Sequence, residues 1–326
     1  MTVPCDANGL RQRSDSVEKL KQIGKNLLFW VPVIIVSWLF VNYVVTNYEK
    51  GIYKAPGEMV EVYGNKMHIY SIGKGKNTVV LLPGLGTGAP TKDFEPLVNE
   101  LSKKNRVVVI EPFGYGYSER THRERNVKNI TEEIHMALVN IGIKGKVVLM
   151  PHSESGIYAI YYANCYPEQV KAIVGIDCTL PKMKVYIGDY YKKTTKLMKY
   201  ATILGIPRIE VTLNQKNYIP DKSNHAYSKK DREVIKAITK WNRYNENVLD
   251  ERKNLKVNME ATEDIQLSDE LPVLFFYAKG SKVAEVYYEY TRHSVYSELV
   301  KLDGNHYLHQ DYYKEIAKMT IDFLNK

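Results

Sequence analysis

The chain has 326 residues, 44% of them hydrophobic and 25% charged, a balance that excludes wholesale disorder. That length exceeds one average domain but suits a single large α/β domain. The net charge is +9, but residues 182–268 hold 18 Lys/Arg against 11 Asp/Glu, so seven of the nine charges sit in one internal segment. With no zinc-ligand Cys/His spacing and no aromatic RNP-type strand, this basicity reads as a solvated face or an attraction to anionic lipid, and not as a nucleic-acid surface. The three cysteines, Cys5, Cys165 and Cys178, are an odd number and cannot all pair within the chain. Cys165 and Cys178 read as small core residues. Cys5 precedes the first apolar stretch, which excludes a lipoprotein acceptor.

In chain order, residues 1–26 form a basic tail with Arg11, Arg13, Lys19, Lys21 and Lys25. Residues 27–45, LLFWVPVIIVSWLFVNYVV, carry no charge and are interrupted only by Ser37 and Asn42. Such a run is long enough to cross a hydrocarbon core of about 30 Å as a helix. Its exit, VTNYEKG, lacks a small-x-small cleavage site, so 27–46 reads as an uncleaved signal anchor. Only Lys50 and Lys54 follow closely, and the positive-inside bias then puts the N-terminus in the cytoplasm and the rest outside, on a cell membrane crossed once. Trp30, Trp38, Tyr43 and Tyr48 are partly placed for an interfacial belt.

After a linker at 47–57, strand and helix patterns alternate. EMVEVYG and KMHIYSIG suggest a hairpin turning at Gly64-Asn65. There follow TVVLLP (78–83), a helix near 91–103, RVVVIE (106–111), a helix near 126–141 and KVVLM (146–150). After residue 153 come a helix to about 166, AIVGID (172–177), VLFFYA (273–278), a helix near 283–293, ELVKL (298–302) and a helix near 310–325. Short continuous apolar runs predict parallel strands buried on both faces, and their alternation with helices predicts an α/β sheet. Residues 181–268 break the alternation: they are Lys- and Tyr-rich, helical in period and free of a convincing strand. They predict a helical cap inserted between core segments 58–180 and 269–326.

The chemistry centres on MPHSESG, residues 150–156, where a buried strand runs into a serine. A nucleophile elbow needs a strand, a tight turn carrying the nucleophile and a helix whose first amides face the developing oxyanion. Ser155 and Gly156 supply small residues after Ser153, whereas Pro151 stands where G-x-S-x-G has its first Gly. Across about residues 58–326 the sequence resembles the α/β-hydrolase family. LLPGLGTG (81–88) is similar to the family's oxyanion loop, with Pro83-Gly84 for His-Gly. EPFGYGYSER (111–120) is similar to its Asp-x-x-Gly-x-Gly-x-Ser segment, with Glu111 for Asp. GNHY (304–307) is similar to its C-terminal Gly-x-His.

The resemblance implies Ser153 as nucleophile, His306 as general base and the backbone N–H groups of Leu85 and Glu154 as oxyanion donors. His309, one turn on, is a competing histidine. For the acid it implies Asp177, at a strand end as in a subset of haloalkane dehalogenases, with Glu285 as the alternative. The family's commoner acid position falls in YAKGSKVAE, where Gly280 and Ser281 stand. Ser at the elbow implies ester, thioester or amide cleavage through an acyl-enzyme, with no metal and no cofactor. An Asp there would have implied dehalogenase or epoxide hydrolase chemistry. The substrate expected is a small ester, apolar or amphipathic because the cap's Tyr and aliphatic residues would line its pocket. Two other readings stand open: a hydrolase-like sensor or binding protein without activity, and a dinucleotide-binding oxidoreductase. The second rests on GLGTGA (84–89) after a strand and on Glu111 as a ribose-binding acid.

Overall fold

A computed structural model describes residues 7–184, 198–220, 225–279 and 283–326, and the chain divides into two compact units, 1–52 and 53–326. The first is a helix, α1 (Ala7–Ile52). Its segment 18–52 is long and apolar enough to cross a membrane. Exposed Leu28, Ile34, Val36 and Phe40 ring it, as in a helix that a bilayer would solvate. The helix runs to Ile52, so the first six residues of the expected 47–57 linker are helical.

The second unit is built on an eight-stranded sheet of order β1-β2-β4-β3-β5-β6-β7-β8. β1 (Glu58–Val62) and β2 (Asn65–Ile72) form an antiparallel hairpin. Val62 pairs with Asn65, so the loop is Tyr63-Gly64, with φ of 49° and 79°, one residue earlier than the sequence suggested. Two left-handed residues give the turn whose twist matches the strands. β2 runs antiparallel to β4 (Arg106–Glu111). β3 (Thr78–Leu82), β4, β5 (Val147–Pro151), β6 (Val170–Ile176), β7 (Val273–Ala278) and β8 (Ser297–Leu302) are all parallel.

The continuous apolar runs alternate between two cores. Val79, Leu81, Val107, Val109, Val148 and Met150 share one core with Phe94, Leu97 and Phe323. Val80, Leu82, Val108, Ile110 and Leu149 share the other with Ile134, Ile157 and Ile160. Helices α2 (Pro90–Asp93), α3 (Glu95–Leu101), α4 (Val127–Asn140) and α5 (Ser155–Cys165) join the first strands. Burying each Val or Leu on both sides of the sheet contributes about 1.5–3 kcal/mol, enough to make this register the stable one. Cys178 is buried as expected, but Cys165, the last residue of α5, is exposed.

Between β6 and β7 the described residues form helices and no strand: α6 (Met198–Ala201), α7 (Ile206–Leu213), α8 (Lys229–Asn242) and α9 (Glu246–Glu260). Ser228 caps α8 by accepting from the Asp231 N–H, and Asn245 caps α9 by accepting from Asn247 and Val248. α8 packs Val234, Ile235, Ile238 and Trp241 into a small apolar cluster with Ala89 and with Tyr227, which precedes the helix. α10 (Ala284–Thr291), α11 (Leu308–Asp311) and α12 (Tyr313–Leu324) complete the fold.

Candidate active site

β5 ends at Pro151, which pairs with Leu82, and His152 makes an isolated bridge to Ile176. Pro151 lacks an N–H, and a strand's last position tolerates that loss. Ser153 then adopts φ of 52°, and α5 begins two residues later. A left-handed serine is strained and is held only because its surroundings fix it. Close packing explains its neighbours. A Cβ on Gly84 would lie 2.7 Å from the Ser153 Cβ, so only glycine fits there. The Ser155 hydroxyl donates to the Pro83 carbonyl.

Just past the end of β6, Asp177 also adopts a left-handed φ, 39°. Its Oδ1 accepts the Ala278 N–H at 3.0 Å, and its Oδ2 lies 2.6 Å from His306 Nδ1. His306 Nε2 lies 2.8 Å from Ser153 Oγ. One imidazole therefore spans the serine and the carboxylate, each at hydrogen-bond distance. The His306 side chain is 45% exposed and that of Asp177 14%. Glu285 is exposed in the first turn of α10, with no described contact to His306. Gly280 and Ser281 lie outside the described residues.

Beside this trio is a cavity of about 400 Å³, within the usual range for small-molecule sites. Leu85, Thr87, Thr179, Leu255 and Tyr307 line it around Ser153 and His306. Leu85 and Glu154 both border it, and no described residue accepts a hydrogen bond from either backbone N–H. Leu255 comes from α9, so the insertion supplies an apolar wall.

Residues outside the expected trio surround and support the site. His152 Nε2 lies 3.0 Å from the His306 carbonyl. Burial pushes the His152 pKa well down, and His309 and His306 add to the effect, so the ring is neutral and its Nε2–H donates to that carbonyl. Its place directly before Ser153 was the available signal. His309 is buried and turned away from the serine, with Nε2 2.8 Å from Asp93 Oδ2. Tyr115 Oη accepts the Gly86 N–H at 3.0 Å and so ties down the 84–87 loop.

Glu111 removes the basis for a dinucleotide site. It is fully buried. Its oxygens accept from the Thr91 N–H at 3.0 Å and the Tyr117 N–H at 2.7 Å, and Oε2 lies 2.9 Å from His68 Nδ1. A Cβ on Gly116 would lie 1.8 Å from Glu111 Oε2, which is why that turn, at φ of 52°, uses glycine. A ribose has no access to this carboxylate.

A family model described as the alpha/beta hydrolase fold matches residues 77–311. The chain is 29% identical over 321 residues to the uncharacterized protein YbdG of Bacillus subtilis, across 94% of this chain and 97% of that one. It is 31% identical over 123 residues to the serine hydrolase BPHL of Mus musculus, across 35% of this chain and 40% of that one. Among solved structures, a laboratory-evolved variant of potato epoxide hydrolase StEH1 matches with a TM-score of 0.68 at 17% identity, across 83% of this chain and 99% of that one. A likeness at that identity is one of fold alone.

Proposed function

Because this chain belongs to the α/β hydrolase fold family, we propose that it is a membrane-anchored serine hydrolase that cleaves carboxylic esters, or related thioesters or amides, through an acyl-enzyme. Ser153 is the nucleophile, His306 the general base and Asp177 the acid. The single observation that carries this reading is the His306 ring, 2.8 Å from Ser153 Oγ on one side and 2.6 Å from Asp177 Oδ2 on the other. The 31% identity to a protein named a serine hydrolase supports it over part of the chain. Serine at the elbow separates it from chemistry that starts from an aspartate nucleophile.

With Asp177 ionised, Nδ1 of His306 carries the ring proton and Nε2 accepts from the Ser153 hydroxyl. Oγ attacks the ester carbonyl carbon as its proton passes to Nε2. The carbonyl oxygen becomes an oxyanion that receives the N–H groups of Leu85 and Glu154, each contributing about 3 kcal/mol in the transition state. His306 then returns the proton to the departing alcohol oxygen, which leaves an acyl-Ser153. Water, deprotonated by His306, attacks the acyl carbon; the acid departs and Ser153 regains its proton. Asp177 keeps the imidazole in the required tautomer and stabilises imidazolium. The cavity volume of about 400 Å³ and the Leu255 wall favour a small or amphipathic acyl ester.

Residues 27–46, within the apolar segment of α1, would anchor the chain, with Arg11, Arg13, Lys19, Lys21 and Lys25 on the cytoplasmic side and the catalytic unit outside. Protease added to intact cells should then digest the catalytic unit; full protection would reverse the orientation. For the chemistry, the detergent-solubilised full chain should be labelled by a fluorophosphonate probe. Ser153→Ala should lose the label and about 10⁵-fold or more of the esterase turnover, since the bond-forming atom is gone. Undiminished hydrolysis by that variant would sink the proposal.

A further inference from the structure

Behind the loops that carry Leu85 and Glu154 lies a closed set of buried polar groups that the mechanism does not use. Glu251, on α9, has one carboxylate oxygen 2.7 Å from Tyr115 Oη and the other 2.9 Å from Tyr158 Oη. Tyr115 Oη also accepts the Gly86 N–H. Tyr158 Oη lies 2.9 Å from Glu154 Oε1 as well. Glu251 and Glu154 are each 3% exposed.

Counting protons fixes how this set works. A phenol has one hydrogen, so Tyr158 cannot donate to both carboxyl groups. Were both ionised, one contact would set a phenol lone pair against a carboxylate, an uncompensated repulsion in a dry site. One carboxyl must therefore hold a proton and donate it. Burial raises the Glu251 pKa as well, but the Arg125 guanidinium and the two tyrosines that donate to it work against that rise, with Asp250 adding to it. Among the described residues Glu154 has only the shared Tyr158 contact and the charge of Arg252, and its Oε2 is buried without a partner there. Burial, and next the charge of Glu251, push the Glu154 pKa well up. The proton belongs to Glu154. The chain then runs from the Glu154 O–H to the Tyr158 oxygen and from the Tyr158 O–H to Glu251. From the other side the Gly86 N–H donates to the Tyr115 oxygen, and the Tyr115 O–H to Glu251. Every donor has one acceptor.

We propose that Glu251 is a positioning residue for the oxyanion hole, holding the Leu85-Gly86 loop through Tyr115 and the Glu154 turn through Tyr158, while the Glu154 carboxyl stays protonated. The inference rests on Leu85 and Glu154 being the oxyanion donors. It accounts for how an acidic residue can sit at that position. An ionised side chain on the donor residue would oppose the very charge its N–H stabilises, and the neutral form removes that conflict. It also ties the insertion to the reaction, since Leu255, one turn along α9 from Glu251, lines the cavity.

The test uses the full chain. In Glu251→Gln the amide nitrogen can only donate, so the side chain cannot accept from both tyrosines and the proton order that keeps Glu154 neutral is broken. Its kcat should fall about 10–100-fold while KM stays within about twofold, the mark of support lost only in the transition state. Tyr115→Phe, which removes one hydroxyl and keeps the ring, should show the same split at about tenfold, and serves if the first variant does not fold. The infrared difference between wild type and Glu154→Gln at neutral pH should contain the carbonyl band of a protonated carboxylic acid. A raised KM with unchanged kcat in both Glu251→Gln and Tyr115→Phe, or no such band, overturns the inference. Fluorophosphonate labelling of wild type separates the two failures. A labelled wild type with a fully active Glu251→Gln refutes only the positioning role, whereas an unlabelled wild type refutes the serine mechanism beneath it.

Discussion

Two histidine–carboxylate pairs in this chain have nearly the same geometry and opposite surroundings. His68 and Glu111 meet at 2.9 Å, with both side chains fully buried, where β2 and β4 run antiparallel. His306 and Asp177 meet at 2.6 Å just beyond the C-terminal ends of the parallel strands, with the imidazole 45% exposed. The first pair is closed on all sides: Glu111 holds two amides, and His68 Nε2 contacts the Pro56 carbonyl. The second is open on one side, and Ser153 Oγ faces that opening. Pairing alone therefore does not single out a reactive histidine. What differs is a ring nitrogen left for a hydroxyl and a cavity beside it.

The largest expected effect breaks the open pair. Asp177→Asn keeps the shape and can still accept the Ala278 N–H, but its amide cannot hold His306 in the tautomer that receives the serine proton. Turnover should fall about 10⁴-fold with little loss of stability. Glu285→Gln, on the exposed turn of α10, should cost less than about tenfold. Reversed outcomes in a p-nitrophenyl ester assay would move the acid to Glu285.

Breaking the closed pair should do the opposite. Glu111→Gln would leave His68 without its counter-charge and one of the Thr91 and Tyr117 amides without an acceptor. We expect a stability loss of about 3–5 kcal/mol in urea unfolding and near-normal kcat in the fraction that remains folded. Burial works against the charged form of Glu111, but His68 and the two amides hold its pKa below the ordinary value. Burial works against His68 too, but the Glu111 hydrogen bond and charge raise its pKa. The signs follow. The carboxylate's contribution is lost as pH falls through its lowered pKa, and the imidazolium's as pH rises through its raised one. Stability from this pair should peak between the two values, and Glu111→Gln should flatten that dependence.

The sheet was legible because each strand's apolar run is long enough for two buried faces, and the elbow because a strand, a serine and a helix follow one another closely. Ser153, Asp177 and His306 each end or follow a strand, a placement that sequence can mark. The closed groups were not legible in the same way. Glu111 reads as a strand-end acid whether it meets a ribose or the Tyr117 amide. Nothing near Glu251 in the chain announces Tyr115 and Tyr158, which are 136 and 93 residues away. Cys165 reads as core by type, yet the last turn of α5 leaves it exposed. The hairpin turn shifted by one residue because Tyr63 accepts a left-handed conformation that favours glycine and asparagine.

A third pair sharpens the contrast and carries the smallest expected effect. His309 Nε2 lies 2.8 Å from Asp93 Oδ2, and Gln310 donates to Asp93 Oδ1 at 2.6 Å. Both the histidine and the aspartate are buried like the His68 pair, yet the His309 ring stands edge-on to His152 at 4.5 Å, and His152 in turn holds the His306 carbonyl. The pair is therefore closed in itself but adjacent to the open one. In Asp93→Asn the amide oxygen can serve either His309 or Gln310, while the amide nitrogen faces the other. One contact is lost, which should cost about 1–3 kcal/mol in unfolding free energy. Turnover should change by less than about threefold, because His306 keeps its own carboxylate and its own support from His152. A 100-fold loss of kcat at wild-type stability would place Asp93 and His309 among the groups that set the reacting imidazole, and would show that burial alone does not separate supporting pairs from working ones.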